Sequence, residues 1–136
     1  MIGLSFRSNP MKPEIKKLWV GALRSGKYEQ GKYTLRSGDE FCCLGVLCNL
    51  ATQQGLDLRV VKVGQITFYD YQRCGLPAKV LKWAGLDQDF PPSEWPLAWV
   101  SGGCPVPLPR AGGTLAYLND SGRTFHEIAV AIEESF

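Results

Sequence analysis

The sequence lacks most of the features that reveal a function at first sight. It has only one histidine. Its net charge of +2 is too small to indicate a nucleic-acid-binding protein. No apolar run approaches the roughly 20 residues of a membrane-spanning helix, and the N-terminus is a poor signal peptide. The phosphate-loop pattern G-x-x-x-x-G-K-[ST] is missing as well. We therefore expect a cytoplasmic protein that has no membrane partner and no cofactor.

What the chain does contain is the composition of one ordinary globular domain. Its 136 residues are 45% hydrophobic and 21% charged, and a chain of this length can bury a single core. A second methionine, Met11, comes just before the first helical pattern. We expect residues 1–10 to be a loose N-terminal leader and residues 11–136 to form a single domain.

Apolar periodicity predicts two helices in the first half of the chain. The stretch "KPEIKKLWVGALRSG" (12–26) is amphipathic, and Gly26 suits its end. The stretch "EFCCLGVLCNLATQQG" (40–55) is apolar on nearly all sides, which predicts a central, buried helix. Glycine inside a helix costs about 1 kcal/mol relative to alanine, so Gly45 predicts the close approach of another backbone.

The other segments complete an α+β pattern. Residues 27–40 predict a loop or a short hairpin, residues 58–71 two short strands that form a hairpin, and residues 76–86 a short helix. A final helix should begin at Thr124, which has capping-box spacing to Glu127. The sequence thus predicts an α+β fold, with three or four helices packed on a small antiparallel sheet.

The densest chemical feature is a cluster of cysteines, Cys42, Cys43 and Cys48. Structural zinc sites favour Cys-x(2–4)-Cys spacing in a turn, whereas these residues lie on a predicted helix and Cys74 and Cys104 are isolated. Cysteine is commonly buried and packs as a small apolar residue. We interpret the cluster as core filling and expect no metal site.

A cysteine-dependent enzyme is the least favoured alternative. A cysteine nucleophile needs a base, and His126 is predicted to be solvated in the first turn of the last helix. Asp39 and Glu40 precede the cysteines and disfavour a thiolate. We therefore expect no catalytic residues. DNA reading is not expected either, because no recognition helix follows the last helix in the sequence.

A binding surface is the function that the residues favour. The stretch 24–36 combines basic and aromatic side chains beside the turn "RSGDE". Basic groups neutralise phosphates, aromatic rings stack on bases, and a carboxylate can bind a ribose hydroxyl. The predicted ligand-binding residues are Arg24, Lys27, Tyr28, Tyr33, Arg36 and Asp39. A pocket between the subunits of a homo-oligomer would suit such a ligand.

A protein–protein surface is the alternative. Aromatic side chains often anchor such interfaces, and the Pro- and Gly-rich segment 87–113 contains three candidates. These predicted partner-binding residues are Phe90, Trp95 and Trp99.

Three blocks of the sequence resemble a family of small proteins that recurs in tailed-phage and prophage genomes. They are "LRSGKYEQG…FCCLGVLCNLA" within residues 15–51, "GLPAKVLKWAGL" at 75–86 and "LAYLNDSGRTFHEIAVAIEE" at 115–134. The family has no settled activity, so the resemblance implies no catalytic residues. It implies the cytoplasm of an infected bacterium as the setting. There it implies a non-enzymatic protein that counters host defence, by sequestering a nucleotide-like signalling molecule or by inhibiting a host defence enzyme.

Overall fold

Five helices and a small mixed sheet make up the described part of the chain, which is residues 11–86 and 115–135 of a computed structural model. The predicted α+β fold is confirmed, with five helices instead of three or four and a sheet that is mixed instead of antiparallel. The helices are α1 (Pro13–Arg24), α2 (Cys43–Gln53), α3 (Ala78–Ala84), α4 (Leu115–Asp120) and α5 (Phe125–Ser135). The strands are β1 (Glu29–Gln30), β2 (Arg36–Ser37), β3 (Glu40–Phe41), β4 (Val60–Val63) and β5 (Ile66–Tyr69).

Helix α1 packs its apolar stripe against the core. Pro13 suits the first turn, because proline has no N–H that would be left unpaired there. Ile15, Trp19 and Leu23 recur at helical spacing and are buried. Trp19 also donates its indole N–H to the carbonyl of Cys43 at 2.9 Å. This hydrogen bond joins α1 to the start of α2.

Helix α2 is the buried centre of the fold, as its apolar sequence predicts. Every residue from Cys43 to Cys48 is buried. A Cβ atom on Gly45 would overlap the carbonyl group of Leu35, which lies immediately before β2. Leu35 is fully buried, and its carbonyl also accepts the N–H of Cys42 at 3.2 Å. The close approach of a second backbone at Gly45 is therefore confirmed.

The sheet has the strand order β1-β3-β2-β5-β4, and its pairs are antiparallel apart from the parallel pair β1–β3. The β4–β5 hairpin lies within residues 58–71, as predicted. The loop or short hairpin predicted for residues 27–40 is found at the end of that stretch, where β2 pairs antiparallel with β3 across a two-residue turn. Strand β1 pairs with β3 and not with β2. Phe41 of β3 pairs with both Gln30 and Arg36 and is buried. The residues just before α2 therefore form an inner strand, and the helix begins later than the apolar run does.

The ends of α3 and α5 carry the expected capping residues. Helix α3 ends at Gly85, whose φ of 82° lies in the left-handed region that favours glycine. Helix α5 begins with the predicted capping box. Thr124 donates its N–H to Glu127 Oε1 at 2.9 Å, and Glu127 donates its N–H to Thr124 Oγ1 at 3.2 Å. Local sequence thus sets both helix boundaries.

A buried asparagine ties the segment around β1 to the helices. Asn119 lies in α4 and is fully buried. Its Oδ1 accepts the backbone N–H of Cys43 at 3.1 Å and the side-chain amide of Gln30 at 3.0 Å. Its Nδ2 donates to the carbonyl of Gly31 at 2.8 Å. Because the first N–H groups of a helix lack partners within the helix, Asn119 is a long-range cap of α2.

Helix length bears on membrane insertion. The longest helix of the described ranges, α1, has 12 residues, whereas a bilayer crossing needs roughly 20. Within those ranges, none of the helices has the length and apolar character to span a membrane.

Two glycines inside helices provide a matched test of the packing at α2. We expect Gly45→Ala to lower the free energy of unfolding by about 2 kcal/mol or more, because the new methyl group would overlap the Leu35 backbone. A Cβ atom on Gly21 in α1 meets nothing within 4 Å, so Gly21→Ala should raise stability by about 0.5–1 kcal/mol. Urea denaturation followed by circular dichroism measures both changes. Equal changes in the two variants would contradict the close contact at Gly45.

Candidate functional site

The three clustered cysteines are core residues, which confirms their interpretation as core filling. Cys42 is 4% exposed, and Cys43 and Cys48 are fully buried. Cys42 is the N-cap of α2, where its Sγ accepts the N–H of Gly45 at 3.4 Å. Cys43 donates its S–H to the carbonyl of Leu115 at 3.6 Å. The Cys42 thiol therefore caps α2, and the Cys43 thiol links α2 to Leu115 of α4.

Burial also keeps these thiols protonated. It raises the pKa of Cys42 from 9.0 to about 12 and the pKa values of Cys43 and Cys48 well above the ordinary range, since a buried thiolate loses its hydration. His126 is exposed in the first turn of α5, as predicted. Across residues 11–86 and 115–135, no group of three or more His, Cys, Asp or Glu residues is arranged to hold a metal ion.

The six predicted ligand-binding residues do not form one cluster. Tyr33 lies beside α4, where its N–H donates to Oδ1 of Asp120 at 2.8 Å. Its φ of 70° is unusual for a residue with a side chain, and its ring is 68% exposed. Asp39 is exposed between β2 and β3. These two residues therefore lie apart from the basic end of α1.

Arg36 is occupied by the packing of the sheet. Its guanidinium carbon lies 4.8 Å from the centre of the Phe41 ring, and its Nε donates to the carbonyl of Gly38 at 2.9 Å. The hydroxyl of Tyr69 is buried near this guanidinium without a hydrogen bond of good geometry. Burial raises the pKa of Tyr69, and the charge of Arg36 partly offsets that effect.

Lys27 and Tyr28 do come together, in a groove between α1 and α2 with a volume of about 610 Å³. We call it the α1–α2 groove. Its polar lining residues are Lys17, Ser25, Lys27, Tyr28, Asn49 and Gln53, and its apolar and small ones are Leu18, Gly21, Ala22 and Leu50. Among the described residues, the lining contains two cations and no carboxylate, so the groove suits an anionic ligand.

Tyr28 is held in place within the groove. Its hydroxyl accepts a hydrogen bond from Nδ2 of Asn49 at 2.8 Å. Its ring packs edge-on against Phe41, with the ring centres 5.0 Å apart. Because both the ring and the hydroxyl of Tyr28 have partners, the side chain loses little conformational freedom when a ligand binds.

Arg24 lines a second cavity, on the other side of α1. We call it the α1–α5 cavity; it has a volume of about 410 Å³. Its lining residues are Met11, Pro13, Lys16, Lys17, Val20, Gly21, Arg24 and Glu133. Arg24 Nη2 lies 2.8 Å from Oε1 of Glu133, and Lys16 Nζ donates to the Glu133 carbonyl at 3.1 Å. The carboxylate of Glu133 therefore faces the cations of α1.

The partner-binding alternative falls on Phe90, Trp95 and Trp99. These residues lie outside the described ranges, as does Cys104. That alternative stays a prediction.

A family model for a domain of unknown function (DUF8296) matches residues 11–136. The chain belongs to this family. The matched range includes both described ranges and begins at Met11. Neither the curated proteins nor the solved structures include a significant match to the chain.

Four polar residues of the groove were not among the predicted site residues, namely Lys17, Ser25, Asn49 and Gln53. Lys17 reads as part of the solvated face of an amphipathic helix. Asn49 could have been recognised from the sequence, because it is a polar residue in the otherwise apolar run "FCCLGVLCNLA". Gln53 could not have been recognised in this way, since polar residues are common near the ends of helices.

The burial of the cysteines predicts which thiols react. In a Cys104→Ser background, iodoacetamide at pH 8 should modify Cys74, which is exposed, and leave Cys42, Cys43 and Cys48 intact. The same treatment in urea should modify all four. Peptide mass spectrometry measures each site. Modification of the cluster in the folded protein would contradict its burial.

The raised thiol pKa values also predict alkaline instability. Unfolding lets a thiol ionise near its ordinary pKa of 9.0, whereas Cys42 in the folded domain ionises near 12. The contribution of the Cys42 thiol to the free energy of unfolding is therefore complete below pH 9. It is lost progressively as the pH rises towards 12. Urea denaturation at stepped pH measures this loss. Cys48→Ala, with one buried thiol fewer, should lose stability less steeply, and parallel curves would contradict the assignment.

Proposed function

We propose that this domain is a non-enzymatic binding protein for a nucleotide-like anion, which it holds in the α1–α2 groove. The observation that carries the proposal is the lining of the groove. Two lysines, a fixed tyrosine hydroxyl and two side-chain amides surround an apolar floor. A nucleotide presents a charged phosphate, polar edges and a flat apolar face, and these three kinds of group have partners in the lining.

The phosphate would bind between Lys17 and Lys27. Both side chains line the groove and are exposed, and neither makes a side-chain ion pair among the described residues. Ammonium groups donate charge-assisted hydrogen bonds to phosphate, which are stronger than neutral ones. The same charges raise the association rate of an anionic ligand.

The base would lie on the apolar floor. Leu18 is 38% exposed, which is high for a large apolar residue, and it lines the groove with Ala22 and Leu50. Asn49 and Gln53 provide amides for the polar edge of a base or for a ribose hydroxyl. A volume of about 610 Å³ lies in the usual range of small-molecule sites.

Sequestration is the biological role that we propose for this binding. In the cytoplasm of an infected bacterium, a phage protein that retains a nucleotide-like signal lowers its free concentration and thereby counters host defence. Binding without turnover suffices for such a sponge. The protonated, buried state of Cys42, Cys43 and Cys48 supports this mode, because those nucleophiles are withheld from solvent.

Isothermal titration with AMP tests the site. We expect Lys17→Ala and Lys27→Ala each to weaken AMP binding about tenfold, the loss typical of one hydrogen bond to a charged group. Tyr28→Phe should weaken it less, since the ring remains and only the hydroxyl is lost. Lys62→Ala is the matched control, because Lys62 is an exposed lysine on β4. Equal affinities of the wild type and both groove variants would contradict the proposed site.

Sequestration has its own test. The purified protein is exposed to a small-molecule extract of phage-infected cells and analysed by native mass spectrometry. A retained nucleotide that Lys27→Ala fails to retain supports the sponge. Retention that is equal in both proteins counts against it.

A further inference from the structure

The α1–α2 groove and the α1–α5 cavity adjoin along α1. Lys17 and Gly21 line both of them. These two residues are four positions apart, so they lie one above the other on the same face of the helix. The face that carries them is therefore the ridge between the two spaces.

Gly21 makes that ridge low. It lies inside α1, where glycine is less favourable than alanine, and a Cβ atom there would meet nothing within 4 Å. Packing within the described residues thus gives no reason for a glycine at this position. A glycine at this position would allow a ligand to approach the helix backbone closely, which is one of the uses of glycine in proteins.

The charges on the far side of the ridge suit a second anionic group. Lys16 and Arg24 line the α1–α5 cavity, and both bond to Glu133. The Glu133 carboxylate therefore occupies the position that a phosphate would take beside Arg24. Both members of this ion pair are more than a third exposed, and such pairs contribute little to stability. An anion of higher charge can therefore replace the carboxylate.

We propose that the groove and the cavity form one continuous site for a dinucleotide, whose phosphate linkage crosses α1 over Gly21 beside Lys17. One nucleotide occupies the α1–α2 groove, and the other lies in the α1–α5 cavity against Arg24. This inference rests on the proposed function and specifies its ligand. A mononucleotide fills only the groove, so it makes no use of Arg24 or of the α1–α5 cavity.

Calorimetric titration with AMP and with the linear dinucleotide pApA tests the proposal. The wild type should bind pApA at least tenfold more tightly than AMP. Arg24→Ala, which removes the second cation, should weaken pApA binding at least tenfold and change AMP binding less than twofold, because Arg24 lines the α1–α5 cavity alone. Gly21→Leu, which fills the crossing and also borders the groove, should weaken the binding of pApA more than that of AMP. Glu133→Gln should strengthen pApA binding alone, because it removes the competing carboxylate. Gly21→Ala is the folding control for the leucine variant, since its small methyl group meets open space.

The outcomes separate the two proposals. AMP binding that depends on Lys27, together with a loss specific to pApA in Arg24→Ala and a larger loss of pApA than of AMP binding in Gly21→Leu, supports both. AMP binding that depends on Lys27, with pApA unaffected by those two variants or weakened equally with AMP, overturns the continuous site alone. Failure of the wild type to bind either compound overturns both.

Discussion

The contact between the Leu35 carbonyl and Gly45 is the constraint on which the rest of the described structure depends. With no side chain at Gly45, the backbone before β2 lies directly on α2. The same carbonyl accepts the N–H of Cys42, and the N–H of Leu35 donates to the carbonyl of Arg73 at 2.7 Å. One buried residue thus joins the central helix, the sheet and the segment that leads to α3. A bulkier residue at Gly45 would separate all three.

The same end of α2 also positions the α1–α2 groove. Trp19 of α1 bonds to the carbonyl of Cys43, and Asn119 of α4 bonds to its N–H. The two helices that border the groove are therefore joined at one buried residue, and a buried hydrogen bond of this kind is costly to break. Asn49 lies farther along α2, where it holds the hydroxyl of Tyr28. Packing in the core thus determines the shape of a polar surface.

The confirmed predictions of secondary structure were those that depend on residues close together in the sequence. The faces of α1 and α2, the β4–β5 hairpin and the capping box at Thr124 follow from spacing within a few residues. The strand β3 was not predicted, because strands of two residues have no periodicity and β3 overlaps the apolar run of α2. In the candidate site, Lys27 and Tyr28 share the groove, whereas Arg36 packs on the Phe41 ring.

The sequence by itself determined the α+β class, the central buried helix and the role of the clustered cysteines as core residues. These properties depend on composition and on residues that are neighbours in the chain. Only the tertiary structure decided which polar groups meet. Arg24 and Glu133 are 109 positions apart and form an ion pair, and Tyr28 meets an asparagine 21 positions away. Such pairings depend on how the helices pack against each other. Local sequence patterns do not contain this information, so they cannot predict which side chains of two helices meet.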